Sequence, residues 1–85
     1  PNPIRDNSGT IRVETVGAEK IEVILYDLAG YYITTFTEDL YHSGNQITEW
    51  VWDVADVESG VYFAHVAVSR EKGTETNIIK IAVLH

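Results

Sequence analysis

Short runs of Val, Ile, Thr, Tyr and Phe recur at intervals of roughly ten residues along this chain, with turn-forming residues between them and no helical period. That rhythm commits the chain to an all-β fold. Strands are expected over residues 10–15, 20–27, 31–37, 46–54, 60–69 and 76–84, with a short additional strand near Ile4. Six to seven antiparallel strands of this length suit a β-sandwich. With 85 residues there is room for one hydrophobic core, so the whole of 1–85 is read as a single domain.

The strands carry the alternation that a half-buried sheet requires. In the second, Ile21, Val23 and Leu25 share one face, and in the last, Ile79, Ile81 and Val83 do the same. Asp27-Leu28-Ala29-Gly30 and Glu71-Lys72-Gly73-Thr74 read as hairpin turns in which glycine supplies a positive φ. Residues 38–45 form the longest expected connection, crossing between sheets. Pro1-Asn2-Pro3 fixes two backbone angles and extends Asn2, which suits the approach to a first strand.

The stretch "WVWDVADVESGVYFAHV", residues 50–66, raises the question of a site. Strand alternation puts Trp50, Trp52 and Val54 on one face. A domain this small buries only about 60 to 65% of its unfolded surface and needs its large apolar side chains inside, so both indoles are expected in the core. The acidic-Ser-Gly-x-Tyr spacing of residues 58–62 matches the approach to strand F of immunoglobulin-like sandwiches, where the tyrosine hydroxyl bonds back to the chain a few residues upstream. Tyr62 would then face inward with Ala64, Val66 and Val68. The fold expected is therefore an immunoglobulin- or fibronectin-III-like β-sandwich.

Charge and residue inventory exclude several functions. The net charge of −7 disfavours a nucleic-acid partner, which Lys and Arg would have to neutralise. There is no cysteine, hence no disulfide framework and no thiolate metal site. No apolar run reaches the ~18–20 residues of a membrane-spanning helix, and no signal-peptide pattern opens the chain. The expectation is a cytosolic protein or a piece of a longer precursor. His42, His65 and His85 are too scattered for a metal cluster, and His42 beside Ser43 lacks an acidic orienter, so no catalytic site is read. Asp53, Asp56 and Glu58 form a carboxylate group of calcium-ligand type, but without the alternating ligands of an EF-hand loop; a solvated acidic turn is the preferred reading.

Five short motifs, in order, resemble a known family. Pro1-Asn2-Pro3, "IEVILYDLAG" at 21–30, Trp52-Asp53, "SGVYF" at 59–63 and "IIKIAVLH" at 78–85 follow the order seen in type IX secretion system type A sorting domains. The immunoglobulin-like domain of the flagellar hook-capping protein is similar. The resemblance covers essentially the whole chain. It implies a non-catalytic carboxy-terminal module, without cofactor, of a larger exported protein from a bacterium of the Bacteroidetes type. Such a protein transits the periplasm to the cell surface or the medium.

The partners so implied are the parent protein's preceding domains, the outer-membrane translocon, and a sortase-like peptidase that removes the module and attaches the cargo to lipopolysaccharide. Asn2 and Pro3 match the family's opening motif, Tyr26, Asp27 and Gly30 its turn, and Gly60, Val61 and Tyr62 its strand approach. Trp52, Asp53 and Lys80 stand in its remaining motifs, and residues 78–84 match the segment implicated in recognition. Tyr31 and His85 depart from the family, which usually has Arg or Lys there. Two rival functions share the fold: a carbohydrate-binding accessory domain stacking sugars on Trp50, Trp52 or a tyrosine among Tyr31, Tyr32 and Tyr41, and a purely structural spacer.

Overall fold

A computed structural model describes residues 3–40 and 44–85. Six strands follow one another: β1 (Ser8–Val16), β2 (Lys20–Asp27), β3 (Tyr32–Asp39), β4 (Asn45–Asp53), β5 (Gly60–Arg70) and β6 (Gly73–Val83). They form a two-stranded sheet, β1-β4, and a four-stranded sheet ordered β3-β2-β5-β6, with every ladder antiparallel. Relative to an immunoglobulin sandwich, β1 and β4 take the places of strands B and E, and the larger sheet those of C′, C, F and G. The all-β sandwich expected from the alternation is the observed architecture.

The core lies where the alternating faces meet. Ile21, Val23, Leu25, Val54 and Val83 are fully enclosed, joined by Trp52, Tyr62, Ala64, Val66 and Val68. From β5 the inward residues interleave with those of β2 in a continuous register, Leu25 opposite Ala64 and Val23 opposite Val66. Thr15 and Thr48 are also buried on the inner face of the small sheet, and neither hydroxyl has a protein partner among the described residues.

Four expectations change. The last strand begins at Gly73, since the hairpin closes on Arg70 opposite Gly73 and pairing starts at once. Its apolar face is buried only at Ile81 and Val83, whereas Ile79 is 45% exposed. The reason is geometric: β6 is the edge of a four-stranded sheet, and a two-stranded sheet cannot cover all of it. Near Ile4 there is a single parallel bridge to Val83 rather than a strand. Finally, the longest connection is residues 54–59, because β3 runs on to Asp39 and leaves only residues 40–44 between the sheets. Tyr41, His42 and Ser43 lie outside the described residues, as do Pro1 and Asn2.

Candidate functional site

Motif residues scattered along the sequence come together at one end of the sandwich. There β2 and β6 finish, β5 starts, β4 delivers Asp53, and β1 begins at Ser8. Tyr62 is at the centre. It stands opposite Asp27 on β2 and opposite Ile81 on β6, with its ring edge-on to Trp52 at 5.6 Å between centroids. Its hydroxyl donates to the Glu58 carbonyl at 2.6 Å, four residues upstream, which closes the corner between the sheets. Burial of the ring, then the negative charges of Glu58 and Asp27, push the phenol above the usual tyrosine range.

Around that centre the backbone is tied by short-range bonds. Asp27 Oδ1 accepts from the N–H groups of Ala29 and Tyr31, at 3.0 and 2.8 Å, while the Gly30 N–H donates to the Asp27 carbonyl. Gly30 takes a φ of 91°, a conformation that an L side chain disfavours, so the Asp-x-x-Gly spacing is a requirement of the turn. Tyr26, just before it, meets the ring of Tyr32 edge-on at 6.5 Å. Asp53 Oδ1 accepts from the Ala55 N–H at 3.0 Å. Gly60 lies opposite Val83 and Val61 opposite Ala82, so the start of β5 holds the finish of β6.

The two termini of the described chain are anchored at this same end. Ile4 donates to the Ala82 carbonyl and accepts from the Leu84 N–H, both at 2.8 Å. Its side chain rests on Gly9, where a Cβ would lie 2.7 Å from Ile4 Cγ1. His85 donates its backbone N–H to Ser59 Oγ at 2.8 Å, and its Nε2 lies 2.7 Å from the Val57 carbonyl. Sequence reasoning placed a short strand near Ile4 and marked His85 as a departure from the family, but had no hold on the contacts these two make or on Gly9. The one available signal was a glycine inside a strand pattern, which marks a close approach by another chain segment.

Other sequence-predicted positions separate. Lys80 stands opposite Phe63 on the outer face of the large sheet, and Pro3 precedes the Ile4 bridge. Asp53, Asp56 and Glu58 do not make an oxygen cage: among the described residues no three His, Asp or Glu side chains converge as metal ligands, and the Asp53 carboxylate is turned onto its own loop. Trp52 is 3% exposed and Trp50 is half-buried beside Phe36, with ring centroids 5.9 Å apart. An indole platform for sugars is therefore not presented. His65 pairs between Ile24 and Ile78 in the middle of the large sheet, at a distance in the ladders from the anchored His85. The arrangement holds strand ends together and leaves the carboxylates of Asp53, Asp56 and Glu58 exposed.

A family model described as "Secretion system C-terminal sorting domain" matches residues 1–80. The chain belongs to that family. The match spans β1 to β5 and all of β6 up to Lys80. The sorting domain is a signal for type IX secretion and is not itself catalytic; it works through the type IX machinery and implies export to the surface or the medium. No helix among the described residues of this sorting domain is long and apolar enough to cross a membrane. Comparison with curated proteins and with solved structures found no match.

Proposed function

We propose that residues 1–85 form the carboxy-terminal sorting or anchoring module of a larger exported bacterial protein, delivered in folded form to the outer-membrane translocon. The observation that carries this reading is the family match across residues 1–80. The gathering of the motif residues Tyr26, Asp27, Gly30, Trp52, Asp53, Gly60, Val61 and Tyr62 at one end supports it. Those residues build the end, and the surface they support, with the final strand beside it, is what the machinery reads. A sortase-like peptidase then acts on the junction between module and cargo. Turnover chemistry belongs to these partners and to the cargo, not to this domain.

The test is an export assay. A fluorescent protein with a periplasmic signal peptide is joined to residues 1–85 and expressed in a type IX-competent bacterium and in a strain lacking the translocon. Translocon-dependent appearance at the surface or in the medium is expected. Periplasmic retention in both strains would remove the sorting function and leave a structural domain of the same fold.

A further inference from the structure

The flank of the sandwich between β1 and β6 is open. Both are edge strands, β1 of the small sheet and β6 of the large one. Between them runs a cleft of 230 Å³ lined by Ile11, Val13, Ala64, Val66, Ile79 and Ile81. It continues into a second hollow of 220 Å³ beside Glu75 and Asn77, sharing Arg12, Val13, Val66 and Ile79. In an immunoglobulin sandwich, strand A sits beside strand B on this side, and no described strand of this chain takes that place.

One residue shows how the opening is closed. Ile4 lies between the two edges, bonded to β6 through both its N–H and its carbonyl, with its side chain set against Gly9 of β1. It pairs with Val83 in the parallel sense. Parallel pairing fixes a direction: polypeptide ahead of Ile4, if it keeps the same ladder, travels along β6 from Val83 toward Thr74 and so into the cleft.

The β6 edge is prepared for such a strand. Because Ala82 and Leu84 turn their backbone groups toward Ile4, alternation turns those of Thr74, Thr76 and Ile78 outward as well. The Ile78 N–H is capped by its neighbour, Asn77 Oδ1, at 3.1 Å, a local bond that a docking strand can replace. Apolar side chains at alternate positions of that strand would cover Val66 and Ile79.

We propose that this cleft is the seat of an additional β-strand, supplied by the stretch of the exported protein that immediately precedes the sorting domain. The proposal rests on the domain being the carboxy-terminal part of a longer protein. It ties the module to its cargo by main-chain pairing rather than by a free linker, and it completes the sandwich at the same time.

The experiment compares three proteins: residues 1–85, the same residues preceded by the ten that precede them in the exported protein, and the same residues preceded by ten Gly and Ser. Amide exchange of Thr74 and Thr76 is the readout. The natural extension is expected to slow both by about tenfold or more, and the Gly-Ser extension to leave them unchanged. Thr76→Pro removes an outward N–H, which an edge strand tolerates. It is expected to abolish the protection of Thr74 in the extended protein while moving the melting point of residues 1–85 by no more than a few degrees.

Equal exchange in all three proteins overturns the proposal, and so does equal protection by the Gly-Ser extension. Protection already present in residues 1–85 and dependent on concentration assigns the edge to a second copy and overturns it too. Export is scored separately: protection without export would retain the docked strand and lose the sorting function, and export without protection the reverse.

Discussion

At the scale of single residues, Tyr62 combines packing and a polar tie. Its ring fills the space beside Trp52 and its hydroxyl satisfies the Glu58 carbonyl. Tyr62→Phe keeps the ring and is expected to cost about 1 kcal/mol, the usual net value of one hydrogen bond, measured by urea unfolding at neutral pH. The raised phenol adds a pH dependence. The folded state holds this proton to higher pH than the unfolded chain, so the contribution is complete below the unfolded value of about 10 and is lost as pH rises through the folded one. Stability of the wild type should fall on that alkaline side, and Tyr62→Phe should flatten the fall. Thr15 and Thr48 present the opposite case, buried hydroxyls without a protein partner. Thr48→Val is expected to raise stability by about 1 kcal/mol, and a loss of that size in the same unfolding measurement would show that the hydroxyl is satisfied after all.

At the scale of elements, β1 and the segment ahead of it are coupled through one contact. Gly9 has no side chain because Ile4 occupies the position a Cβ would need. Gly9→Ala should displace Ile4 and cost about 1–3 kcal/mol by overpacking, and the same substitution in an Ile4→Ala background should cost much less. A double-mutant cycle measures the difference; additive losses would mean that the two residues do not share the space. The strand pattern shows which parts of the fold were legible. In β2, whose partners lie on both sides, alternation alone located Ile21, Val23 and Leu25 in the core, and all three are fully buried. In β6 the same alternation placed Ile79 inside, and it is half-exposed, since periodicity reports which face a residue occupies and not whether another layer covers that face.

At the scale of the whole molecule, a two-stranded layer lies on a four-stranded one in a body of 39 × 23 × 15 Å. A domain of this size has a total stability of roughly 4–13 kcal/mol, at the usual ~0.05–0.15 kcal/mol per residue. Against that, Leu25→Ala, at a fully buried position, is expected to remove about 2–5 kcal/mol and to bring the domain close to unfolding at 37 °C. Ile47→Ala, on the outer face of β4 and 52% exposed, should change the melting temperature by no more than a degree or two. If the translocon takes the module as a folded body, Leu25→Ala should also reduce export of a fused reporter while Ile47→Ala, away from the motif residues and the final strand, leaves it intact. Equal export from both would show that the signal is read from an unfolded chain.

Period-two alternation, the Asp-x-x-Gly turn and the Ser-Gly-x-Tyr approach to β5 are local properties, set by strand geometry and by the φ values glycine alone adopts readily. They determined the all-β class, the hairpins and the inward faces of β2, β4, β5 and β6, and the order of the motifs pointed to the sorting family. How many strands each layer holds depends on which edges meet across the molecule. That pairing of distant segments left β6 half-covered, brought Ile4 against Gly9, tied His85 to the 54–59 turn and opened the flank between β1 and β6. No local pattern carries such information, because it depends on which strand edges meet: Ile4 is set on Gly9 by its bridge to Val83 at the far end of the sequence, and His85 reaches partners 26 and 28 residues upstream.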